Sequence, residues 1–348
     1  MSLKASKVFS GALARSDLTG LEDLSGLAGT KVQAGLVHVA VAVLRDAEGR
    51  VLLAKRPEHV HQGGLWEFPG GKVEPGEGIV AALRREAHEE LGVEVLAERP
   101  LIQVIHHYGD KSVLLDVHCI TAFGGEPQGR EGQPLAWVFP EELPGYPMPA
   151  ADVPIVAALR LPALYLITGD DPRRSDQFLA RLERSLAGGK VRLVQFRAGG
   201  LSEREFIDLA RAALEVCQRR GARMLVNGDP ALAERLGADG VHLNSARLET
   251  LAERPGPAGW LVGASCHTAT ELARAGALGL DFALLSPVLP TQSHPEARPL
   301  GWDGFAGLVR EAKLPVYALG GMSAAELPIA WRHGGQGIAA IRGLWVGD

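Results

Sequence analysis

The sequence predicts a two-domain α/β chain: a mixed sheet with two helices over residues 35–161, then an eight-stranded parallel (β/α)8 barrel over residues 162–348. Two observations predict it. In the first stretch, apolar β-rich runs alternate with Gly/Pro-rich loops and one long helical segment, the texture of a single α+β domain. In the second, eight short apolar runs recur about every 20–25 residues, with helical stretches between them, the rhythm of a parallel barrel. The length agrees, since 348 residues make about two domains at roughly 150 residues each.

In the first domain LVHVAVAVLR and VLLAKR read as strands, and the turn DAEGR between them, with Asp46 and Gly49, predicts a hairpin. The loop QGGLWEFPGGKVEPGE leads into a helix over Ile79–Leu91, stopped by Gly92. Strands follow over Glu94–His107 and Ser112–Phe123, then PLAWVF, and AADVPIVAALR closes the domain as a helix. In the second domain the strands are YLIT, VRLVQFR, ARMLV, DGVHL, WLVGAS, FALLS, PVYALG and GIAAIR. Helices are expected over Glu203–Arg219, Thr268–Ala277 and Trp302–Ala312, while only Leu344–Asp348 follow the eighth strand. Residues 1–34 show no sustained period and read as a disordered leader.

Composition excludes several classes. Hydrophobic residues make up 46% and charged residues 22%, enough apolar material for two cores. The net charge of −5, from 36 basic and 41 acidic residues, argues against a broad nucleic-acid surface. No apolar run reaches the roughly 18 residues of a membrane span, and the N-terminus lacks a secretory h-region. Cys119, Cys217 and Cys266 are odd in number and far apart, which fits a reducing cytoplasm and no disulfide framework. Oligomeric state is not encoded in any of these features.

The chemistry concentrates first in GGKVEPGEGIVAALRREAHEELGV, from Gly70 to Val93. On a helix Glu86, Glu89 and Glu90 stand at i, i+3 and i+4, so three carboxylates share one face. Their repulsion is resolved by a hard divalent cation, Mg2+ or Mn2+, which takes carboxylate oxygens and leaves positions for substrate phosphates. A solvated acidic helix face is the plain alternative. Arg85 can pair with a carboxylate, and Gly70, Gly71 and Gly76 permit a loop tight enough to bring Glu77 over the same face.

This spacing, G-x5-E-x7-R-E-U-x-E-E-x-G-U, is met at every glycine and charged position, and residues 36–160 resemble the MutT-like branch of the Nudix superfamily. Ala87 departs from it, standing where a larger aliphatic is usual. The resemblance implies a Nudix α/β/α sandwich and metal-assisted attack of water on a phosphorus of a nucleoside triphosphate. It implies Glu77, Arg85 and Glu86 as catalytic residues, with Glu86 first in line to take the proton, although spacing does not fix which Glu is the base. It implies Glu86, Glu89, Glu90, Glu131 and Gly70 as metal ligands. Arg56 and Lys72 are expected to face phosphates, an exposed strand-end arginine being the alternative for Arg56. Asp152 stands where MutT relatives carry a base-reading Asn, and Phe68 either flanks the base or packs in the core. The substrate class implied is the oxidised purine nucleotides, as in 8-oxo-dGTP sanitation and DNA repair. Asp152 lacks the amide donor, so the nucleobase stays open, and a thiamine-related diphosphate is the rival substrate.

Residues 163–345 resemble the thiamine phosphate synthase/TenI superfamily of TIM barrels, through VQFR, LVN, GADGVHL, VGASCHT, LLSPVLPTQSHP, ALGGM and GIAAIRG. The resemblance implies a thiazole or thiamine phosphate ligand at the C-terminal strand ends. Gln195, Arg197, Asn227 and His267 would line that mouth, and Thr291, Ser293, Gly320, Gly321 and Arg342 would hold phosphate. Active synthases keep a Lys two places after the strand-two Arg, an Asp after the strand-three Asn, and acids after strand four. Here those places hold Gly199, Gly228 and the stretch Ser245, Ala246, Arg247. The expectation is a degenerate synthase site that acts in ligand binding or scaffolding, in proton transfer by His267, or as a residual synthase.

Overall fold

The computed structural model describes residues 9–10, 36–60, 62–108, 111–169, 171–292 and 296–346. It divides into two compact units, Met1–Val156 and Ala157–Asp348. Of the predicted leader only β1 (Phe9–Ser10) falls among the described residues.

The first unit holds two sheets. β2 (Leu36–Leu44), β5 (Gly70–Lys72), β6 (Glu94–Tyr108) and β7 (Lys111–Gly124) form one with β1; β3 (Val51–Lys55), β4 (Trp66–Glu67) and β8 (Leu135–Val138) form the other. The predicted hairpin of β2 with β3 is corrected by this arrangement. The turn exists, with Asp46 N–H on Arg50 O and Gly49 N–H on Asp46 O, but the two strands meet only at the Arg45–Val51 bridge. Both edges of β2 are taken, by β7 in parallel and β5 antiparallel, so β3 pairs in the second sheet.

α1 (Ile79–Leu91) ends where Gly92 adopts φ 71°, a left-handed cap that favours glycine. It buries Ala82, Leu83, Ala87 and Leu91 against Ala40, Ala42 and Leu44 of β2. That face anchors the helix and leaves its acidic face for chemistry. α2 (Val153–Leu159) follows a short turn of 3-10 helix at Ala150–Asp152.

The large sheet also carries a buried polar network. Asp116 Oδ2 accepts from Gln103 Nε2 at 2.9 Å and faces His38 Nε2 at 3.3 Å, while His118 lies between Asp116 and Glu98. Burial works against charge on His118, but the hydrogen bonds to Asp116 and Glu98 outweigh it and raise the imidazole to about 9. A folded pKa above the ordinary 6.5 gives stability that is full below pH 6.5 and lost as pH rises through 9. Denaturant unfolding between pH 7 and pH 10 should therefore show the wild type losing more stability than His118→Gln. Parallel curves would contradict that role.

In the second unit the strands β9 (Leu164–Ile167), β10 (Leu193–Phe196), β11 (Arg223–Asn227), β12 (Gly240–Leu243), β13 (Leu261–Cys266), β14 (Phe282–Leu285), β15 (Val316–Leu319) and β16 (Gly337–Ala340) close into one parallel barrel. All eight predicted strands are present. Tyr165, Leu193, Leu225, Phe282 and Tyr317 fill its interior, and the opposite faces of the strands pack on the helices. Those helices are α3 (Ser175–Leu186), α4 (Glu203–Arg219), α5 (Pro230–Leu236), α6 (Ser245–Thr250), α7 (Ala269–Ala277), α8 (Gly301–Val309) and α9 (Leu327–Arg332). Capping boxes start α4 and α7, Ser202 with Glu205 and Thr268 with Glu271. Among the described residues no helix is long and apolar enough to cross a membrane.

Candidate functional site

β5 and α1 build the first site. Pairing of Ala40 with Gly71 presses the Gly70–Gly71 loop against the acidic face of α1. A Cβ on Gly71 would stand 2.2 Å from Glu86 Cδ, so any larger residue here would push that carboxylate out of its place. A Cβ on Gly70 would stand 2.1 Å from Ala40 O, and the Gly70 N–H donates to Glu90 Oε2 at 3.2 Å.

Arg85 is the organiser. Its Nε and Nη2 donate to the two oxygens of Glu77 at 3.0 and 2.8 Å, a bidentate clasp that draws the loop onto the helix. Its Nη1 donates to Glu86 Oε1 at 2.7 Å and reaches Glu89 Oε2 at 3.5 Å, and Nη2 also donates to Lys72 O at 3.0 Å. The Arg85 hydrogen bonds, with the Glu74 N–H, hold the Glu77 carboxyl below its ordinary value. Glu90 goes the other way. Burial pushes it up to about 8, and the Glu86, Glu67 and Glu131 charges add to the push, against the Gly70 N–H.

The structure thus gathers Glu77, Glu86 and Glu89 on one guanidinium and places Glu90 in the field of Glu86 and Glu131. Glu131 is exposed; its N–H donates to Gln133 Oε1, and Gln133 Nε2 donates to Glu90 O at 3.3 Å. Among the described residues no three His, Cys, Asp or Glu side chains stand as a preformed ligand cluster. The donor chemistry nevertheless fits a hard divalent cation. A half-buried carboxylate crowded by other carboxylates, with a single N–H in opposition, lacks the positive charge such an ion brings.

A second group lies around Asp152. Its side chain is 6% exposed, and Oδ2 has no hydrogen-bond partner. Burial, aided by the Glu67 charge and opposed by Arg56, raises its carboxyl to about 7. The Arg56 guanidinium donates to Glu67, so this arginine is already paired. The Tyr108 phenol feels burial first and the Asp152 charge second, both raising it. Phe68 is buried at 4% exposure, in the core, and Lys72 is exposed. Sequence reasoning missed Glu67 and Tyr108. Glu67 sits inside the loop that was read for its glycines, and Tyr108 lies one residue past the predicted strand Glu94–His107.

At the barrel mouth Gln195 is buried; its Nε2 donates to Asn227 Oδ1 at 2.8 Å, and its Oε1 has no partner. Arg197 is exposed, its main chain tied to Thr168 Oγ1. His267 is exposed, with Nδ1 2.8 Å from Ser286 O, which leaves Nε2 for other contacts. Gly320 and Gly321 adopt φ of 100° and 68° and press on Pro287 and Leu289, so the turn after β15 needs glycine twice. Arg342 bonds Gln292 beside Thr291, while Ser293 lies outside the described residues. Burial raises the Cys266 thiol to about 12, with Glu271 adding, which makes it packing and not a nucleophile.

These geometries agree with comparisons to known proteins. Residues 40–158 match the family model described as the NUDIX domain, and residues 164–344 match the one described as thiamine monophosphate synthase. Over 123 residues, 35% of this chain, it is 40% identical to the CTP pyrophosphohydrolase of Escherichia coli and covers 90% of that protein. Over 184 residues, 52% of this chain, it is 40% identical to a putative thiamine-phosphate synthase of Geobacter sulfurreducens and covers 86% of it. A second such protein, from Aquifex aeolicus, is 36% identical and covered over 97% of its length. The acid-faced helix on its glycine loop and the closed barrel therefore belong together in one chain that is a member of the Nudix family in its N-terminal half and of the thiamine monophosphate synthase family in its C-terminal half.

Proposed function

We propose that residues 35–161 hydrolyse a nucleoside triphosphate to its monophosphate and pyrophosphate with Mg2+ or Mn2+. The observation that carries this is the crowding of Glu86 and Glu90 on one helix face under the Arg85 fork. Glu86, Glu89 and Glu90 would hold the cation, with Glu131 and the Gly70 carbonyl as further oxygens, and the ion supplies charge neutralisation on the diphosphate oxygens. Arg85 fixes Glu86, whose carboxylate takes the proton of the attacking water. Arg56, held by Glu67, turns to the substrate phosphates.

Asp152 supports a choice of base. As a neutral acid it donates one hydrogen bond and accepts another, which matches the adjacent N3 acceptor and N4–H donor of cytosine. Ionised, it only accepts, which suits the N1–H and N2–H of 8-oxoguanine, the substrate class implied by MutT relatives. Burial and Glu67 favour the neutral form, so we take a cytosine nucleotide as the main substrate. The relative from Escherichia coli named for CTP supports the same choice. The test is kcat/KM for CTP, dCTP, 8-oxo-dGTP, dGTP and thiamine diphosphate at about pH 6 and about pH 8.5, either side of the Asp152 value. CTP should lead at the lower pH, and its advantage over 8-oxo-dGTP should shrink about tenfold as Asp152 ionises. Asp152→Asn, which always offers both a donor and an acceptor, should make the ratio independent of pH. A ratio that follows pH identically in both proteins removes Asp152 from base reading.

For residues 162–348 we infer a binding role, in which the Gly320–Gly321 turn and the Ile341–Gly343 N–H groups meet a phosphate. The unpartnered Gln195 Oε1 accepts from the ligand's heterocycle. A thiazole or thiamine phosphate fits these groups.

A further inference from the structure

The loop between β7 and β8 lies on the end of α1. A helix leaves its last carbonyls without partners of its own, and here the loop takes several of them. Gln128 N–H donates to Leu91 O at 3.0 Å, and Arg130 N–H donates to Glu90 O at 3.0 Å. The Arg130 side chain adds a third bond, from Nη1 to His88 O at 3.1 Å. Its guanidinium lies over Gly92, where a Cβ would stand 2.6 Å from Nε, and it brings positive charge to the end of the helix that favours it. Gln133 Nε2 adds a fourth bond, to Glu90 O at 3.3 Å.

Glu131 stands at the tip of this loop. Gly132 N–H donates to Gly129 O at 3.0 Å, so Arg130 and Glu131 are the two central residues of a tight turn. The Glu131 N–H donates to Gln133 Oε1 at 2.9 Å. One amide side chain therefore joins two backbones: its oxygen takes the N–H of Glu131, and its nitrogen reaches the carbonyl of Glu90. Both residues so joined carry carboxylates, and the Glu131 charge acts on Glu90. Like charges push a free loop away from the helix. Hydrogen bonds to the helix end oppose that push, and a primary amide accepts from one backbone and donates to another without adding charge.

We propose that Gln133 is a positioning residue for the divalent cation, stapling the turn that carries Glu131 to the end of α1 so that the loop carboxylate is held beside the helix carboxylates before any ion arrives. Arg130 fastens the same turn from its other side. This rests on the reading of the α1 face as a cation site. It deepens that reading by naming what holds the one carboxylate ligand that does not come from the helix. A loop ordered in advance leaves ion binding with less conformational entropy to overcome.

The experiment is a double-mutant cycle on Mn2+ affinity in the full chain, read by electron paramagnetic resonance, with Gln133→Met, Glu131→Gln and the two together. Met keeps the length of the side chain and loses both hydrogen bonds; Gln133 is only half-buried, so the variant should fold. Gln133→Met should weaken Mn2+ binding about fivefold when Glu131 is present and less than about twofold in Glu131→Gln. Arg130→Ala, at an exposed residue, is the second variant and should show the same dependence on Glu131. Equal weakening in both backgrounds overturns the proposal, because the side chain would then act on the helix and not through Glu131. No weakening in either background overturns it as well. Amide exchange of the metal-free protein in EDTA is a second readout. There the Gln128 and Arg130 N–H groups should exchange about fivefold faster in Gln133→Met, and unchanged exchange contradicts the staple. A wild type that binds no Mn2+ overturns the cation reading and the proposal with it, whereas a wild type that binds Mn2+ with an uncoupled cycle overturns the proposal alone.

Discussion

Replacing Glu90 by Gln should lower nucleoside triphosphate hydrolysis about 10³-fold while the metal-free protein becomes more stable. The two effects have one cause. Glu90 is half-buried beside Glu86, and its carboxyl is raised to about 8, so at neutral pH the fold carries an acid whose charge it disfavours. Gln keeps the shape and the bond from Gly70 N–H but removes the ionisable group, and with it the free energy of holding that acid protonated in the fold at neutral pH. In EDTA the melting temperature should rise, by about 4 °C for each 1 kcal/mol released. Steady-state kinetics and thermal unfolding with EDTA check both halves. A Glu90→Gln protein with near-normal turnover, or one that melts far below the wild type in EDTA, contradicts the assigned role.

A comparably large effect is expected in the barrel. Given a thiazole phosphate, an aminopyrimidine diphosphate and Mg2+, the chain should form thiamine phosphate at a rate about 10³-fold below that of a metal-dependent synthase. Among the described residues, Asp171, Glu205, Asp229, Glu271 and Glu326, the acids that follow β9, β10, β11, β13 and β15, each give an oxygen to backbone N–H groups, so the departing pyrophosphate would meet no unengaged pair of these acids to bring it a cation. The assay belongs in the Glu90→Gln background, where hydrolysis of the diphosphate by the first domain should be about 10³-fold slower. Sustained product formation there would show that the barrel is a working synthase.

What the sequence could reveal was set by the range of the interactions involved. The limits of α1 were legible because Gly92 and the apolar spacing of Leu83, Ala87 and Leu91 are local signals. The eight barrel strands were legible because each carries its own short apolar run. The fate of β3 was not, because β2 has only two edges and strands distant in the chain, β5 and β7, occupy both. The acid face of α1 could be read from spacing alone. The Arg56–Glu67 pair beside Asp152 could not, because it joins β3, β4 and a turn far along the chain. Asp229 illustrates the same limit. Its place after β11 is readable in the chain, but only the structure shows it spent on Ala231 and Arg247.

The central claim is that the acidic face of α1 grips a hard divalent cation. Its most direct test is Mn2+ binding to the full chain followed by electron paramagnetic resonance, wild type against Glu90→Gln. A saturable Mn2+ site is expected in the wild type and should be lost or weakened at least about tenfold in the variant. Superimposable binding curves for the two proteins would contradict it.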